Sequence, residues 1–159
     1  SAARETVGEM RQLLDVLREG APAELGPQPG IDAVADLVAQ FRGGVATLDD
    51  RLGSDRDADP LVQLTVFRLV QEALSNVTRH APGATVRITL AAEGTQTLAL
   101  SVRNDRVDRE SASPVTSSGL GLRGMRERVE LVGGTLTVGP TSAGGFAIHA
   151  VIPRREVPS

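Results

Sequence analysis

The sequence predicts an α/β (α+β) two-layer sandwich, a mostly antiparallel sheet covered on one face by helices. Three observations predict it. A long amphipathic segment spans Val66 to Ala84, period-two apolar segments come in neighbouring pairs at Thr85–Leu90 with Leu98–Val102 and at Thr135–Val138 with Phe146–Ile152, and helical segments interrupt the strands. The order helix, strand, long helix, two strands, loop, helix, two strands segregates helices to one side of a sheet.

Residues Ala3 to Glu19 read as an amphipathic helix, with Val7, Met10, Leu14 and Leu17 at helical spacing and Leu13 widening the stripe. The chain opens inside this helix, as a piece of a longer protein does. A linker rich in helix breakers follows, from Gly20 and Pro22 to Pro29 and Gly30. Ile31, Val34, Leu37, Val38 and Phe41 predict a second helix, stopped by Gly43-Gly44. Val45–Leu52 reads as an edge strand of weak alternation. Gly53–Asp59 is a polar loop, and Pro60 suits the first position of the long helix.

That helix has two faces. Leu64, Phe67, Val70 or Leu74, and Val77 form an apolar stripe, and Glu72, Asn76, Arg79 and His80 form a polar one, since residues three and four apart are surface neighbours. A carboxylate, an amide oxygen and a cation so spaced suit a hydrated divalent ion and a polyphosphate; the plainer reading is a solvated face. The helix ends near Pro82-Gly83. Val86, Ile88 and Leu90 then alternate, as do Leu98, Leu100 and Val102 beyond a Glu93-Gly94 turn, which predicts a hairpin. Asp105–Ser118 is a long polar loop of the kind that is functional or disordered.

Ser118-Gly119-Leu120-Gly121-Leu122 leads into another helix, buried through Leu122, Met125, Val129 and Val132 and ended by Gly133-Gly134. Glycines before a helix let backbone amides approach a phosphate. In the last hairpin Phe146, Ile148, Ala150 and Ile152 face inward, and His149 faces solvent.

Composition narrows the chemistry. The 159 residues suffice for one core. With no cysteine there is no disulfide or thiolate site, and with two histidines a multi-histidine zinc site is disfavoured. Every basic residue is Arg, so a P-loop lacks its lysine. The net charge of −3, the mixing of Arg with acidic residues and the lack of Tyr and Trp argue against nucleic-acid binding. No apolar run reaches a membrane span.

The string QEALSNVTRHA resembles the N box of the Bergerat-type ATP-binding domain of sensor histidine kinases, type II topoisomerases and some chaperones, and most resembles kinases of the nitrate-sensor subfamily. SGLGLRGMRERVELVGGTL resembles that subfamily's second glycine box, and Gly144-Gly145-Phe146 with AIHAVIP resembles its closing segment, with Phe146 in place of a small hydroxyl residue. ARETVGEMRQLLDVLRE resembles the end of the second helix of the dimerisation and phosphotransfer bundle.

The resemblance implies the Bergerat fold, with ATP and Mg²⁺ as ligands. It divides the chain into a bundle-helix remnant at 1–20, a linker at 21–30 and a catalytic domain at 31–155. Asn76 would give an oxygen to Mg²⁺, and Glu72 would serve in catalysis. Arg79 and His80 would lie near the phosphates, and Gly119, Leu120, Gly121 and Leu122 would cradle them. Gly124 and Arg128 read equally as packing and surface residues.

The family's adenine-contacting Asp is Asn104 here, or Asp105 if the register slips, and Arg106 and Asp108 replace the glycines after it. An amide can still accept from an amine but loses a charge-assisted bond. The implied activity is γ-phosphoryl transfer to a histidine outside this sequence, for relay to a response regulator, in a cytoplasmic domain of a homodimeric parent that the family allows to be anchored in the plasma membrane. The alternatives are a degenerate non-catalytic module and an anti-sigma-type serine kinase.

Overall fold

The structure, a computed structural model, describes residues 28–105, 119–142 and 144–155. A single 3₁₀ turn, Ile31–Ala33, opens into α1 (Val34–Ala39). β1 (Val45–Asp50), α2 (Pro60–His80), β2 (Thr85–Glu93) and β3 (Thr97–Asn104) follow. The chain ends with α3 (Gly119–Leu131), β4 (Thr135–Pro140) and β5 (Phe146–Pro153). The predicted bundle remnant and linker lie outside the described residues up to Pro27, as does the polar loop from Arg106 to Ser118.

The five strands form one sheet in the order β1-β2-β3-β5-β4, with β1 parallel to β2 and every other pairing antiparallel. Parallel neighbours need a long crossover, and α2 is that crossover. Ile88, Val102 and Ile148 lie in register across β2, β3 and β5, and all three are buried on the helix-covered face. Thr85, Arg87 and His149 face the other way and are exposed. The predicted two-layer arrangement and both hairpins are present.

α2 is 21 residues long. Pro60 occupies its first turn, where a missing N–H costs nothing, and Arg79 and His80 place cationic or polarisable groups in its last turn, where the helix dipole favours them. Pro82 and the positive φ of Gly83, +86°, prevent its continuation. The buried face is broader than the predicted stripe. Val62, Val66, Leu69 and Ala73 join Leu64, Val70, Leu74 and Val77, whereas Phe67 is only partly buried. A face laid along a sheet must cover several strands, so it exceeds the narrow seam that pairwise spacing suggests.

α3 corrects the predicted glycine loop: the helix starts at Gly119 itself, so Gly121 lies in its first turn. The first four amides of a helix lack intrahelical partners, so the anion-binding rationale survives this change. Met125, Val129 and Val132 are buried as predicted, while Leu122 and Phe146 are partly buried against the core.

The far end of α2 is tied to the C-terminal strand. Arg154, 5% exposed, donates through Nη1 to the carbonyls of Asp55 (3.2 Å) and Asp57 (3.0 Å) and through Nη2 to the Asp55 carboxylate (2.8 Å). Its own carbonyl accepts from the Asp59 N–H at 2.8 Å, just before α2 begins. Arg155 pairs with Asp57 and Asp59 in the open. Arg56 is held above its ordinary guanidinium range by hydrogen bonds from its side chain to Asp32 and then to Asp50.

Replacing Arg154 removes three hydrogen bonds that a buried guanidinium makes between the end of β5 and the loop before α2. Arg154→Ala is expected to lower the unfolding free energy by about 2 kcal/mol, read from the urea midpoint, and Arg155→Ala to leave that midpoint in place. Equal midpoints for the two variants would contradict this account.

Candidate functional site: the α2 polar stripe and the start of α3

Because α2 is locked to the sheet by its apolar face, the azimuth of its polar face is set as well. Glu72, Asn76 and Arg79 lie together on that face. Arg79 Nη2 donates to Asn76 Oδ1 at 2.6 Å and to Glu72 Oε1 at 3.1 Å. The Arg79 and Glu72 side chains are 53% and 39% exposed, so the ion pair is worth at most about 1 kcal/mol. Such a guanidinium is aimed in advance yet can be transferred to another anion at small cost.

Gly121 brings α3 to the same place. A Cβ built there would lie 3.0 Å from Glu72 Oε1 and 3.6 Å from Asn76 Oδ1. Glycine thus lets the first turn of α3, with its free amides, press against the carboxylate and carboxamide of α2. An amide oxygen, a transferable arginine and the first turn of α3 meet at one place. This donor set fits a metal-bound polyphosphate: Mg²⁺ takes hard oxygen ligands and keeps several waters, and phosphate takes Arg and N–H donors. Among the described residues there is no group of three His, Cys, Asp or Glu that would hold a metal by itself.

The remaining predicted residues fall at different distances from this centre. His80 ends α2, one residue past Arg79, and its Nδ1 and Nε2 are both buried with no hydrogen-bond partner among the described residues. Buried polar atoms normally have a partner, so this orphaned ring fits a place that a ligand or water completes. Gly119 and Leu120 are the first two residues of α3, and Leu122 packs partly into the core. Asn104 ends β3 in register with Val86 and Phe146, on the inward-facing series of Leu100 and Val102. Its Nδ2 donates to the Asp105 carbonyl at 3.3 Å, and the Asp105 N–H donates to Thr85 O at 2.9 Å. The described contacts bring Glu72, Asn76, Arg79 and Gly121 together and do not bring Asn104, Asp105 or His80 to them. Asn104 is instead pressed by Gly145, where a Cβ would collide with the Asn104 carbonyl.

Arg68 has no place in the sequence reading, and Gly124 and Arg128 have only an open one there, as packing or surface residues. Arg68 lies one turn before Glu72, and Gly124 and Arg128 lie three and seven residues after Gly121; these residues line a cavity of about 320 Å³ between α2 and α3. Continuing the Glu72 stripe by four residues, and the Gly121 stripe by three and seven, is the signal that identifies them.

Comparison with known proteins identifies the family. Residues 62–156 match the family described as histidine kinase-, DNA gyrase B-, and HSP90-like ATPase. The chain is 29% identical to the sensor histidine kinase YxjM of Bacillus subtilis over 156 residues, covering 96% of this chain and 36% of that protein. It is 32% identical to the signal transduction histidine-protein kinase/phosphatase UhpB of Salmonella typhimurium over 152 residues, covering 93% of this chain and 29% of that protein. The chain therefore spans about a third of these relatives. In fold it is similar to the Erythrobacter litoralis EL346 blue-light activated histidine kinase, with a TM-score of 0.56 at 21% identity over 79% of this chain and 45% of that one. The mycobacterial sensor histidine kinase MprB gives a TM-score of 0.51 at 21% identity, covering 80% of this chain and 95% of that one. The residues that converge at Gly121 thus sit in a chain that belongs to the histidine kinase-, DNA gyrase B- and HSP90-like ATPase family, as an ATP-binding domain of the sensor histidine kinase kind.

Proposed function

We propose that this domain binds Mg·ATP and transfers its γ-phosphoryl group to a histidine on a separate segment, for relay to a response regulator. The carrying observation is the contact of Gly121 with both Glu72 and Asn76, which joins the start of one helix to the polar stripe of another. Asn76 Oδ1 is the protein oxygen for Mg²⁺, whose charge would offset that developing on the phosphoryl oxygens. Arg79 turns from Glu72 toward the phosphates, and the α3 amides hold them. His80 supplies a further polar contact, and Asn104 or Asp105 meets the adenine amino group.

In transfer, a nitrogen lone pair of the acceptor imidazole forms the N–P bond while the bond from Pγ to the β,γ-bridging oxygen breaks, and ADP leaves with that electron pair. The proton then shed by the imidazolium needs a base, a role that this reading gives to Glu72. Positioning and charge neutralisation do the rest.

In this reading residues 31–155 are the catalytic domain, 21–30 a linker and 1–20 the end of a bundle helix through which a cytoplasmic, homodimeric kinase assembles. The names of the relatives support the kinase assignment. One observation favours a degenerate, non-catalytic module instead: Asn104, Arg106 and Asp108 stand where the family places Asp and two glycines.

Calorimetric titration separates the two readings. ATP is expected to bind more tightly with Mg²⁺ than with EDTA, and Asn76→Ala to weaken Mg·ATP binding by about tenfold, one lost charge-assisted contact. Heat-free titrations at millimolar nucleotide would favour the degenerate module.

Gly121→Ala is expected to fold normally, because the nearest obstacle is the mobile end of Glu72, yet to lose nucleotide affinity as the new methyl crowds the cradle. Unchanged affinity in that variant would remove Gly121 from the site. The chain's two histidines are fixed at the end of α2 and on the outer face of β5, and neither lies on a separate segment that could present its ring in line with the γ-phosphoryl group. Incubation with γ-labelled ATP is therefore expected to leave no stable, acid-labile label on this chain.

A further inference from the structure

The cavity between α2 and α3 shares Glu72 and Gly121 with the nucleotide cluster and extends from them toward Arg68 and Arg128, away from Asn76 and Arg79. Arg68 and Glu72 line it from α2, and Gly121, Gly124, Met125 and Arg128 line it from α3. Residues at i, i+3, i+4 and i+7 share one helical face, so the four α3 residues form a continuous wall. Met125, 2% exposed, gives the cavity an apolar floor. A Cβ at Gly124 would meet nothing within 4 Å, so the space there is open to an incoming group. Glu72 is the wall shared with the nucleotide cluster. Arg128 lies seven residues from Gly121, about 10 Å along the helix. It is exposed and has no ion-pair or hydrogen-bond partner among the described residues, whereas the neighbouring Arg123 pairs with Glu127 on another face.

A chamber with a carboxylate at one end, an apolar floor and an unclaimed guanidinium at the other has a complementary occupant. A flat ring with polar edges, an imidazole, suits the floor and the Glu72 end, and a carboxylate carried beside it suits Arg128. A second cation is repelled there by Arg68 and Arg128. We propose that this cavity is the entrance by which the phosphoryl acceptor reaches the nucleotide, and that Arg128 is a positioning residue that pairs with a carboxylate on the acceptor segment. The proposal rests on the kinase reading above. It separates two approaches to Glu72: nucleotide from the Asn76 and Arg79 side, acceptor from the Gly124 and Arg128 side.

The test uses this chain with Mg²⁺ and β,γ-methylene ATP, which cannot transfer its terminal phosphoryl group. The probes are two synthetic helical peptides of equal length, each with one histidine, carrying either aspartate or asparagine one helical turn away. Binding is followed by amide chemical-shift titration. The aspartate peptide is expected to bind up to about fivefold more tightly, the upper limit for one exposed charge pair, and to shift the Gly121, Gly124 and Arg128 amides. R128E should remove the difference between the peptides, and a lysine-bearing peptide should regain affinity for R128E. Nucleotide affinity should stay within about twofold, the range left when no direct contact is lost.

Equal binding of both peptides to the unaltered chain would overturn the proposal, and so would a parallel loss of nucleotide affinity in R128E, which would make Arg128 a phosphate ligand. Nucleotide binding by the unaltered chain keeps the kinase reading standing in either case; its absence would sink that reading first.

Discussion

The structure depends on the burial of one side of α2 against the sheet. Val66, Leu69, Val70, Ala73 and Val77 are removed from water on that side, and each side chain of this size contributes on the order of 1.5–3 kcal/mol when buried, less for alanine. A helix held by so many apolar contacts cannot roll. The opposite face therefore presents Glu72, Asn76 and Arg79 at a constant angle, and the hydrogen bonds among them refine an arrangement that the core has already imposed. Function here is a by-product of amphipathicity: one stripe anchors, and the other is displayed.

The polar interactions divide according to how wet they are. Arg154 is buried against two carbonyls and a carboxylate, and it fastens the loop before α2 to the end of β5, so it sets where α2 begins. The Arg79 pair with Glu72 is solvent-exposed and weak. In the function proposed above, strong bonding there would be a disadvantage, because a guanidinium committed to a carboxylate could not be given up to a phosphate. The same reasoning applies to Gly121. A side chain there would have to displace the Glu72 carboxylate, so glycine lets the first turn of α3 lie against the polar stripe of α2.

Two faces of the domain remain uncommitted by this packing. Arg87 and Arg103 stand directly opposite each other on the uncovered face of the sheet, a like-charge pairing that solvent tolerates. The other is the α2–α3 cavity, whose walls belong to two helices separated in the chain by a hairpin. Glu72 lines this cavity and also accepts from Arg79, so it belongs to both the cavity and the polar stripe.

The sequence by itself determined the elements and the chemistry carried by each. Period-two alternation predicted both hairpins, helical spacing predicted α2 with its polar stripe, and the boxes around Asn76 and Gly121 carried the family resemblance, because all of these are written in residues a few positions apart. The sheet order, with β5 between β3 and β4 and β1 parallel to β2, was decided by tertiary structure, since strand neighbours depend on crossovers that local periodicity does not encode. The breadth of the α2 core face, the burial of Arg154 and the start of α3 at Gly119 were decided there too. So was the contact of Gly121 with Glu72, together with the cavity that turns Gly124 and Arg128 from ambiguous residues into walls of a site. Each of these depends on distance between segments remote in the chain, and such distances exist only once the apolar faces have found one another.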